Sequence, residues 1–368
     1  LVVGVGGDGG GAGDGGRAMI TVAILGAGIG REHLAAYREL RGAFHVTRVI
    51  DQDLARIEDI REGDDFVASA AIEDALIDPD IDVIDVCLPP HLHVLITLKA
   101  LEAGKHVICE KPLATSMADA DAIKDAAEAA GKQVFPVFQY RWGPSLAKLR
   151  HMMAADLTGQ VQTATVETHW SRGSEYYASE WRGTWAGERG GAVLGHAIHN
   201  HDLLTHIAGE IAALSAMTTT RVNDIETEDC AAISFEMRSG ALCSSNITLG
   251  AARDETRLRF VFEHLTATSD TEPYAPGAQA WTFTARDPKQ QVEIDAVLAQ
   301  TPKEAVGFVG LFTEIGKALN GKLNSVVTLK DGLASVELVT AIYHAARTGT
   351  RVALPLGLDH PLRKGWLP

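Results

Sequence analysis

The sequence predicts an α/β protein of two domains, in which a doubly wound parallel sheet is followed by an α/β domain with a large, open, mainly antiparallel sheet. Short apolar runs alternate with helical patterns from residue 19 to residue 141, which is typical of a parallel sheet. Long β-type runs joined by short turns begin after residue 142 and favour antiparallel pairing. A glycine-rich turn between the first strand and the first helix indicates dinucleotide binding. A chain of 368 residues can bury a core in each domain, 19–141 and 142–368.

The elements follow from the spacing of apolar residues and from the positions of helix-ending glycines. In the first domain we predict strands over residues 21–25, 45–50, 83–88, 106–109 and 133–137. Helices are predicted over residues 32–40, 71–77, 93–103 and 117–130. In the second domain we predict helices over residues 145–153, 303–319 and 331–346, and strands over residues 160–170, 211–221, 230–237, 241–249 and 256–263. The polar segment 266–289 is predicted to be a loop.

Composition and charge limit the classes of partner. The formal net charge of −15 argues against nucleic acid and against an anionic membrane surface as partners. No apolar run has the length of a membrane span. The cysteines are Cys87, Cys109, Cys230 and Cys243. They show neither C-x-x-C pairs nor the density of a disulfide framework, which favours a reducing, cytoplasmic location.

Residues 1–18 differ in composition from the rest of the chain. Half of them are glycine, and they show no apolar periodicity. The run Gly4–Gly9 formally matches G-x-G-x-x-G, but more glycine follows it where the fingerprint requires a helix. We expect a disordered extension, with Met19 beginning the folded protein.

The glycine turn that meets the fingerprint's requirement consists of Gly26, Ala27, Gly28, Ile29 and Gly30. Glycine lets the backbone approach a pyrophosphate, and the following helix N-terminus supplies amide donors. Asp51 ends the second predicted strand, where an acid binds the ribose hydroxyls of NAD and repels the 2′-phosphate of NADP. The sequence therefore favours NAD over NADP. A tight structural turn and a solvated acid are the alternatives.

Two further strand ends carry candidate cofactor residues. Leu88 and Pro89 close the third strand of the first domain, and His93 follows as a residue that caps the next helix or lines the cleft. Glu110 and Lys111 follow the fourth strand, at the edge where open α/β sheets bind ligands. A solvated lysine in a β-to-α turn is the alternative.

A histidine cluster lies between residues 190 and 202. If the segment is helical from residue 192, one face carries Gly195, His199, Asp202 and His206. His199 can take and return a proton, and Asp202 can orient that ring or accept a substrate hydroxyl. His196 and His199 lack a clear carboxylate or cysteine partner, so we predict no metal.

An aromatic and basic stretch lies between the lysine and the histidines. It contains Tyr140, Trp170, Trp181 and Arg182, which we predict to bind substrate together with His196, and Arg141, which we predict to bind the cofactor. Packing at the seam between the domains is the simpler interpretation for each tryptophan. As a group, aromatic faces with basic donors suit a small polyhydroxylated ligand.

The assembled chain resembles the glucose–fructose oxidoreductase/inositol dehydrogenase/MocA family from Met19 nearly to the C-terminus. The stretches that carry the resemblance are 26–28, 98–112 (LKALEAGKHVICEKP), 181–185, 190–202 and 331–355. The resemblance implies a Rossmann domain, an open sheet that mediates a homodimer or homotetramer, and hydride transfer between NAD(P) and a sugar, cyclitol or related alcohol.

The same resemblance assigns roles to single residues. Lys111 matches the family's active-site lysine and His199 its catalytic histidine. Asp202 matches an acid that often contacts substrate, and Glu110 is expected to position the lysine or the nicotinamide ribose. Gly195 stands where the family commonly has aspartate. An NAD-retaining glycosidase and a non-catalytic NAD-binding regulator of the same family are the alternatives to a dehydrogenase.

Overall fold

The computed structural model describes residues 19–368. The glycine-rich extension predicted for residues 1–18 lies outside the described residues. Within them, no helix is long and apolar enough to cross a membrane.

The first sheet is parallel and has six strands in the order β3-β2-β1-β4-β5-β6. Its strands are β1 (Ile20–Leu25), β2 (Phe44–Ile50), β3 (Val67–Ser69), β4 (Val83–Val86), β5 (His106–Cys109) and β6 (Val134–Pro136). Its helices are α1 (Gly30–Glu39), α2 (Leu54–Ile60), α3 (Glu73–Leu76), α4 (Pro90–Glu102) and α5 (Met117–Ala130). The strand order reverses between β1 and β4, so ligands are expected beyond their carboxyl ends.

The doubly wound prediction is confirmed, but α2 and β3 were not predicted. The seven residues of α2 depend on a cap, because the Asp53 side chain accepts hydrogen bonds from the backbone N–H groups of Ala55 and Arg56. Strand β3 has only three residues, none of them buried. Elements this short have too few apolar positions to show a period.

The second sheet has eight strands in the order β13-β12-β11-β7-β10-β9-β8-β14. The strands are β7 (Val161–Ser171), β8 (Ile211–Thr219), β9 (Cys230–Met237), β10 (Leu242–Thr248), β11 (Gly250–Phe262), β12 (Leu265–Thr268), β13 (Thr282–Ala285) and β14 (Val352–Ala353). Only β7 and β10 pair in parallel; the other neighbours are antiparallel. The prediction of a loop over residues 266–289 is wrong for two segments of it. Strands β12 and β13, of four residues each, extend the sheet there.

The remaining helices close the chain onto both sheets. They are α6 (Pro144–Ala154), α7 (Trp185–Glu188), α8 (Ile198–Ala208), α9 (Gln291–Gln300), α10 (Gly307–Leu319) and α11 (Leu329–Thr348). Helix α11 packs on both β8 and α5, and α10 packs on α1. A single buried apolar cluster consequently runs through both sheets. The boundary at 141/142 stays a prediction.

Candidate active site

The glycine turn connects β1 to α1. A side chain at each of its three glycines would meet different surroundings. Gly26 has φ +102°, and a Cβ there would lie 2.4 Å from the carbonyl oxygen of Cys87. A Cβ at Gly30 would lie 2.8 Å from Cγ2 of Ile24, so this glycine lets α1 pack on its strand. At Gly28 a Cβ would meet nothing within 4 Å. The backbone there faces free space, as close approach of a pyrophosphate requires.

Asp51 holds this turn from the end of β2. Its carboxylate accepts hydrogen bonds from the backbone N–H groups of Ala27 (2.8 Å) and Asp53 (2.9 Å). The Arg56 guanidinium lies 3.7 Å away and is half exposed. Ile29, at the N-terminus of α1, is 42% exposed at the rim of the turn. A glycine turn, a helix N-terminus and a fixed carboxylate together fit the adenosine and pyrophosphate parts of NAD.

Cofactor preference can be tested at Asp51. We expect the wild type to bind NAD more tightly than NADP, because a carboxylate repels a 2′-phosphate. Asp51→Ala should weaken NAD binding about tenfold, the equivalent of one hydrogen bond to a charged group. It should also reduce the difference between the affinities for NAD and NADP. Titration with NADH and NADPH, followed by cofactor fluorescence, measures both affinities. Asp53→Ala, which removes a neighbouring carboxylate and the cap of α2, is the matched control. A wild type that prefers NADP would contradict this assignment.

The end of β5 brings Lys111 into contact with the second domain. The peptide bond from Lys111 to Pro112 is cis. The Lys111 ammonium donates a hydrogen bond to the Gly195 carbonyl oxygen at 2.9 Å, and its backbone N–H donates to the Glu110 carboxylate at 3.0 Å. Burial lowers the pKa of Lys111, and Glu110 opposes that change. The lysine is therefore not the solvated side chain of the alternative interpretation.

His93 joins two strand ends. One ring nitrogen lies 2.7 Å from the Leu88 carbonyl oxygen and the other 2.7 Å from that of Pro112. The side chain is 1% exposed, and burial lowers its pKa. Pro89 precedes α4 as its N-cap. His93 therefore fixes the turn after β4 relative to the Lys111 turn, and its role at the cofactor stays a prediction.

The segment before His199 is a π-helical turn, Val193–Ala197, that continues into α8. A π-turn holds one more residue than an α-turn. The prediction that Gly195 shares the face of His199, Asp202 and His206 is consequently wrong, whereas those three residues lie at i, i+3 and i+7 of the regular helix α8. Lys111 binds the carbonyl of Gly195, whereas His206 is exposed and borders a small cavity with Trp142 and Arg150.

Glu228 holds the N-terminus of this helical segment, a role that the sequence did not reveal. Its carboxylate accepts from the backbone N–H groups of Gly191 (3.1 Å) and Val193 (3.0 Å) and from the Tyr343 hydroxyl (3.0 Å). A Cβ at Gly191 would lie 1.9 Å from the Glu228 carbonyl oxygen, and one at Gly190 would lie 2.6 Å from the Tyr343 hydroxyl. The paired glycines are therefore required for this close packing.

Glu228 should make stability depend on pH. Burial raises its pKa to about 7 against the opposing hydrogen bonds, whereas an unfolded glutamate has a pKa of about 4.3. The folded protein thus keeps a proton that the unfolded chain loses, so this group destabilises the fold by up to about 3 kcal/mol as pH rises through that window. Urea unfolding midpoints at pH 5 and 8 measure it. From pH 5 to pH 8 the urea midpoint should fall less in Glu228→Gln than in wild type or in the exposed control Glu226→Gln. Equal decreases of the midpoint would refute the prediction.

His199 is buried against two aromatic side chains. Its ring stacks on Tyr140 with centroids 4.5 Å apart and meets Phe138 edge-on at 6.0 Å. Burial, and then the charge of Lys111, lower its pKa to about 3. Its Nδ1 is buried and has no hydrogen-bond partner among the described residues. The side chain is therefore a neutral imidazole.

Among the described residues, no carboxylate is hydrogen-bonded to His199 in place of the aspartate that the family resemblance leads one to expect at Gly195. A Cβ at Gly195 would meet nothing within 4 Å, so the protein itself has room for a side chain there. His196, one residue on, packs edge-on against Trp170 at 5.3 Å and lies 5.7 Å from Tyr176. Its Nδ1 also lacks a partner within residues 19–368.

Asp202 is bound to Arg141. Both of its carboxylate oxygens accept from the Arg141 guanidinium, at 2.7 and 2.6 Å, and Arg141 also donates to Asp331 at 2.9 Å. Asp202 and Arg141 are 5% and 6% exposed. The structure thus pairs Asp202 with Arg141 rather than with His199, and it directs the predicted cofactor ligand Arg141 towards two carboxylates. Their roles at substrate and cofactor stay predictions.

Aromatic and basic side chains form the rim of the candidate active site next to His196. The Arg182 guanidinium lies 3.9 Å from the ring centroid of Tyr176 and 4.5 Å from that of Trp181, which is 38% exposed. Trp170 donates its indole N–H to Thr256 at 3.1 Å.

Sequence reasoning missed three rim residues. Arg172 lies 5.0 Å from the Trp170 ring and donates to Asp254 at 2.8 Å, and the Tyr274 hydroxyl also contacts Asp254. Arg172 belongs to the aromatic stretch and was recognisable there. Asp254 and Tyr274 come from a strand and a loop far along the chain, and no local pattern indicates them.

Fold and site together define an NAD-dependent oxidoreductase. Residues 20–138 match the sequence profile of the oxidoreductase family with an NAD-binding Rossmann fold, and residues 146–268 match the GFO/IDH/MocA C-terminal domain. The chain belongs to the GFO/IDH/MocA family.

Individual relatives agree with this assignment. The WlbA dehydrogenase from Chromobacterium violaceum, solved with NADH and UDP-GlcNAcA, is 30% identical with a TM-score of 0.79, covering 92% of this chain and 97% of that one. Levoglucosan dehydrogenase from Pseudarthrobacter phenanthrenivorans is 31% identical over 55% of this chain and 54% of that protein. An uncharacterized oxidoreductase from Synechocystis is 24% identical over 91% of this chain and 96% of that protein.

Proposed function

We propose that this enzyme transfers hydride between NAD and a secondary alcohol of a sugar, cyclitol or glycoside, with residues 19–141 binding the cofactor and residues 142–368 the substrate. The observation that carries the proposal is the contact of the Lys111 ammonium with the Gly195 carbonyl, in the turn before His199. It brings a cation from a strand end of the parallel sheet to a neutral imidazole from the second domain, beside the cofactor turn.

Cofactor binding is assigned to the three strand ends around the switch point. The turn at Gly26, Gly28 and Gly30 receives the pyrophosphate, and Asp51 the adenosine ribose. Leu88, Pro89 and Glu110 border the nicotinamide half. When bound, NAD supplies the acceptor or donor of the hydride.

The proton chemistry is assigned to His199 and Lys111. A neutral His199 takes the hydroxyl proton as the alcohol is oxidised and returns it in the reverse direction. The Lys111 ammonium donates a hydrogen bond to the same oxygen and stabilises its developing negative charge. In a buried site that stabilisation is stronger than in water, because little solvent screens the charge.

The substrate class follows from the rim. The faces of Trp170, Tyr176 and Trp181 suit the C–H faces of a sugar ring, and Arg172 and Arg182 supply donors to its hydroxyls. The relatives named for levoglucosan and crystallised with UDP-GlcNAcA support a carbohydrate.

We also assign assembly to the open sheet. One face of the second sheet is covered by α8 and α11, while alternate residues of the other face are exposed: Thr163, Thr165, Ser234, Ser244 and Asn246. This flat face supports a homodimer or homotetramer. The cysteines, all of them free, favour a cytoplasmic enzyme.

The test is a fluorescence screen for NADH formation against sugars, cyclitols and glycosides. Formation of NADH with one of them, abolished in His199→Ala, is the expected result. Release of an aglycone without net NADH would replace the proposal with an NAD-retaining glycosidase. NAD binding without turnover of any compound would favour a regulatory protein.

A further inference from the structure

A buried group of ionisable side chains lies behind the cofactor turn, and Glu110 is the member of it that borders the proposed cofactor site. His33 on α1 stands between two carboxylates. One ring nitrogen lies 2.9 and 3.1 Å from the oxygens of Asp85, and the other lies 3.2 Å from Glu110. His33 and Asp85 are 0% exposed and Glu110 is 6% exposed. Burial of three ionisable groups is costly unless their charges compensate one another.

The geometry determines the charge of the ring. A neutral imidazole has one N–H, so its second nitrogen would turn a lone pair towards a carboxylate oxygen. With both carboxylates ionised, only the imidazolium donates to Asp85 and Glu110 at once. Although burial opposes it, the pKa of His33 is raised well above its usual value, chiefly by the charge of Asp85 and its hydrogen bond to the ring.

We propose that His33 is a positioning residue: as a buried imidazolium between Asp85 and Glu110, it keeps the Glu110 carboxylate ionised and fixed under the Lys111 turn. The link to the site is direct, because the other oxygen of Glu110 accepts the backbone N–H of Lys111 at 3.0 Å. The proposal rests on the function proposed above insofar as Lys111 serves the reaction.

The neighbours of these groups support a fixed charge pattern. Around His33, Asp85 also accepts the Tyr37 hydroxyl at 2.9 Å, and the Cys87 sulfur lies 3.3 Å from the ring. From α10, Phe308 and Phe312 cover the ring with centroids 4.6 and 5.2 Å away and add no charge.

Glu110 faces three further titratable groups. Lys111 and His199 lower its pKa, although His33 contributes more, and the net pKa is about 2 against the effect of burial. His93 is the third, and burial lowers its pKa. Among these groups His33 is the one bound to a carboxylate through each ring nitrogen.

A metal ion is the competing explanation. His33, Asp85 and Cys87 have ligand atoms within 4.8 Å of one another. However, the His33 nitrogen that would bind a metal is hydrogen-bonded to Asp85, and burial raises the pKa of the Cys87 thiol so that it keeps its proton. A thiol and an imidazolium are not metal ligands.

The experiment uses the whole protein and needs no substrate, so it is independent of the proposed alcohol chemistry. Nitrogen-15 histidine labelling, with His33→Gln to assign the signal, should show both His33 nitrogens protonated at pH 7.5. Affinity for NADH, from cofactor fluorescence, should be nearly constant from pH 5 to 8 in wild type. In His33→Gln it should fall at least threefold towards pH 5, where Glu110 takes up a proton, and approach the affinity of Glu110→Gln.

Two variants separate charge from shape. His33→Lys keeps a cation and should restore a flat pH dependence. Tyr37→Phe alters the same buried wall but leaves both His33 contacts, and should behave as wild type. A neutral His33 signal at pH 7.5 would overturn the proposal, and so would a flat pH dependence in His33→Gln. If His33→Gln does not fold, a spectrum in which no histidine keeps both nitrogens protonated at pH 7.5 would overturn it as well.

Discussion

Replacing His199 with alanine should lower kcat by about two to four orders of magnitude, the usual contribution of a positioned proton acceptor. The residual rate of alcohol oxidation should rise with pH, because hydroxide then takes the proton. NADH affinity should change little, since no cofactor contact is assigned to His199. His206→Ala, which removes an exposed histidine from the same helix, is the matched control. Unchanged kcat with a raised KM would show that His199 binds substrate without moving its proton.

The second large effect is on stability. Arg141→Ala should reduce the free energy of unfolding by about 3–5 kcal/mol, because it leaves the buried carboxylate of Asp202 without its partner. Urea unfolding followed by tryptophan fluorescence measures it. The exposed pair of Arg351 with Glu236 provides the control, since Arg351→Ala should cost at most about 1 kcal/mol.

The stability of Arg141→Ala also bears on the role of Asp202. A loss within the range of the Arg351→Ala control would mean that Asp202 tolerates isolation, as an acid exposed to substrate would. A large loss in both Arg141→Ala and Asp202→Asn would identify the pair as a structural support behind the site.

The parts of the site that the sequence predicted are those with a local motif. The glycine turn, Lys111 and His199 each stand at the end of a strand or in a helix whose apolar spacing is clear. The partner of Asp202 was not predictable in the same way. Arg141 lies 61 residues away and meets it only through tertiary packing.

The π-turn at Val193–Ala197 is a second reason why part of the site could not be predicted from the sequence. Apolar periodicity assumes 3.6 residues per turn, so one wider turn displaces every residue before it relative to those after it. Gly195 was therefore placed wrongly relative to His199, whereas Asp202 and His206 follow His199 within the regular helix α8. Glu228 could not be predicted for a different reason. A single acidic residue between two predicted strands forms no sequence pattern.

The central strand of the second sheet has a consequence for how the chain folds. Strands β10 and β11 are joined by Leu249 alone, yet they do not pair with each other, because β7 lies between them. A hairpin of these two neighbours would form early in a folding chain, since local contacts close the shortest loops. Strand β7, about 80 residues upstream, could then enter only after that hairpin opened. We expect refolding to show a slow phase governed by this strand exchange, and to be hastened by substitutions that weaken the β10–β11 hairpin but leave the pairing of β7 intact.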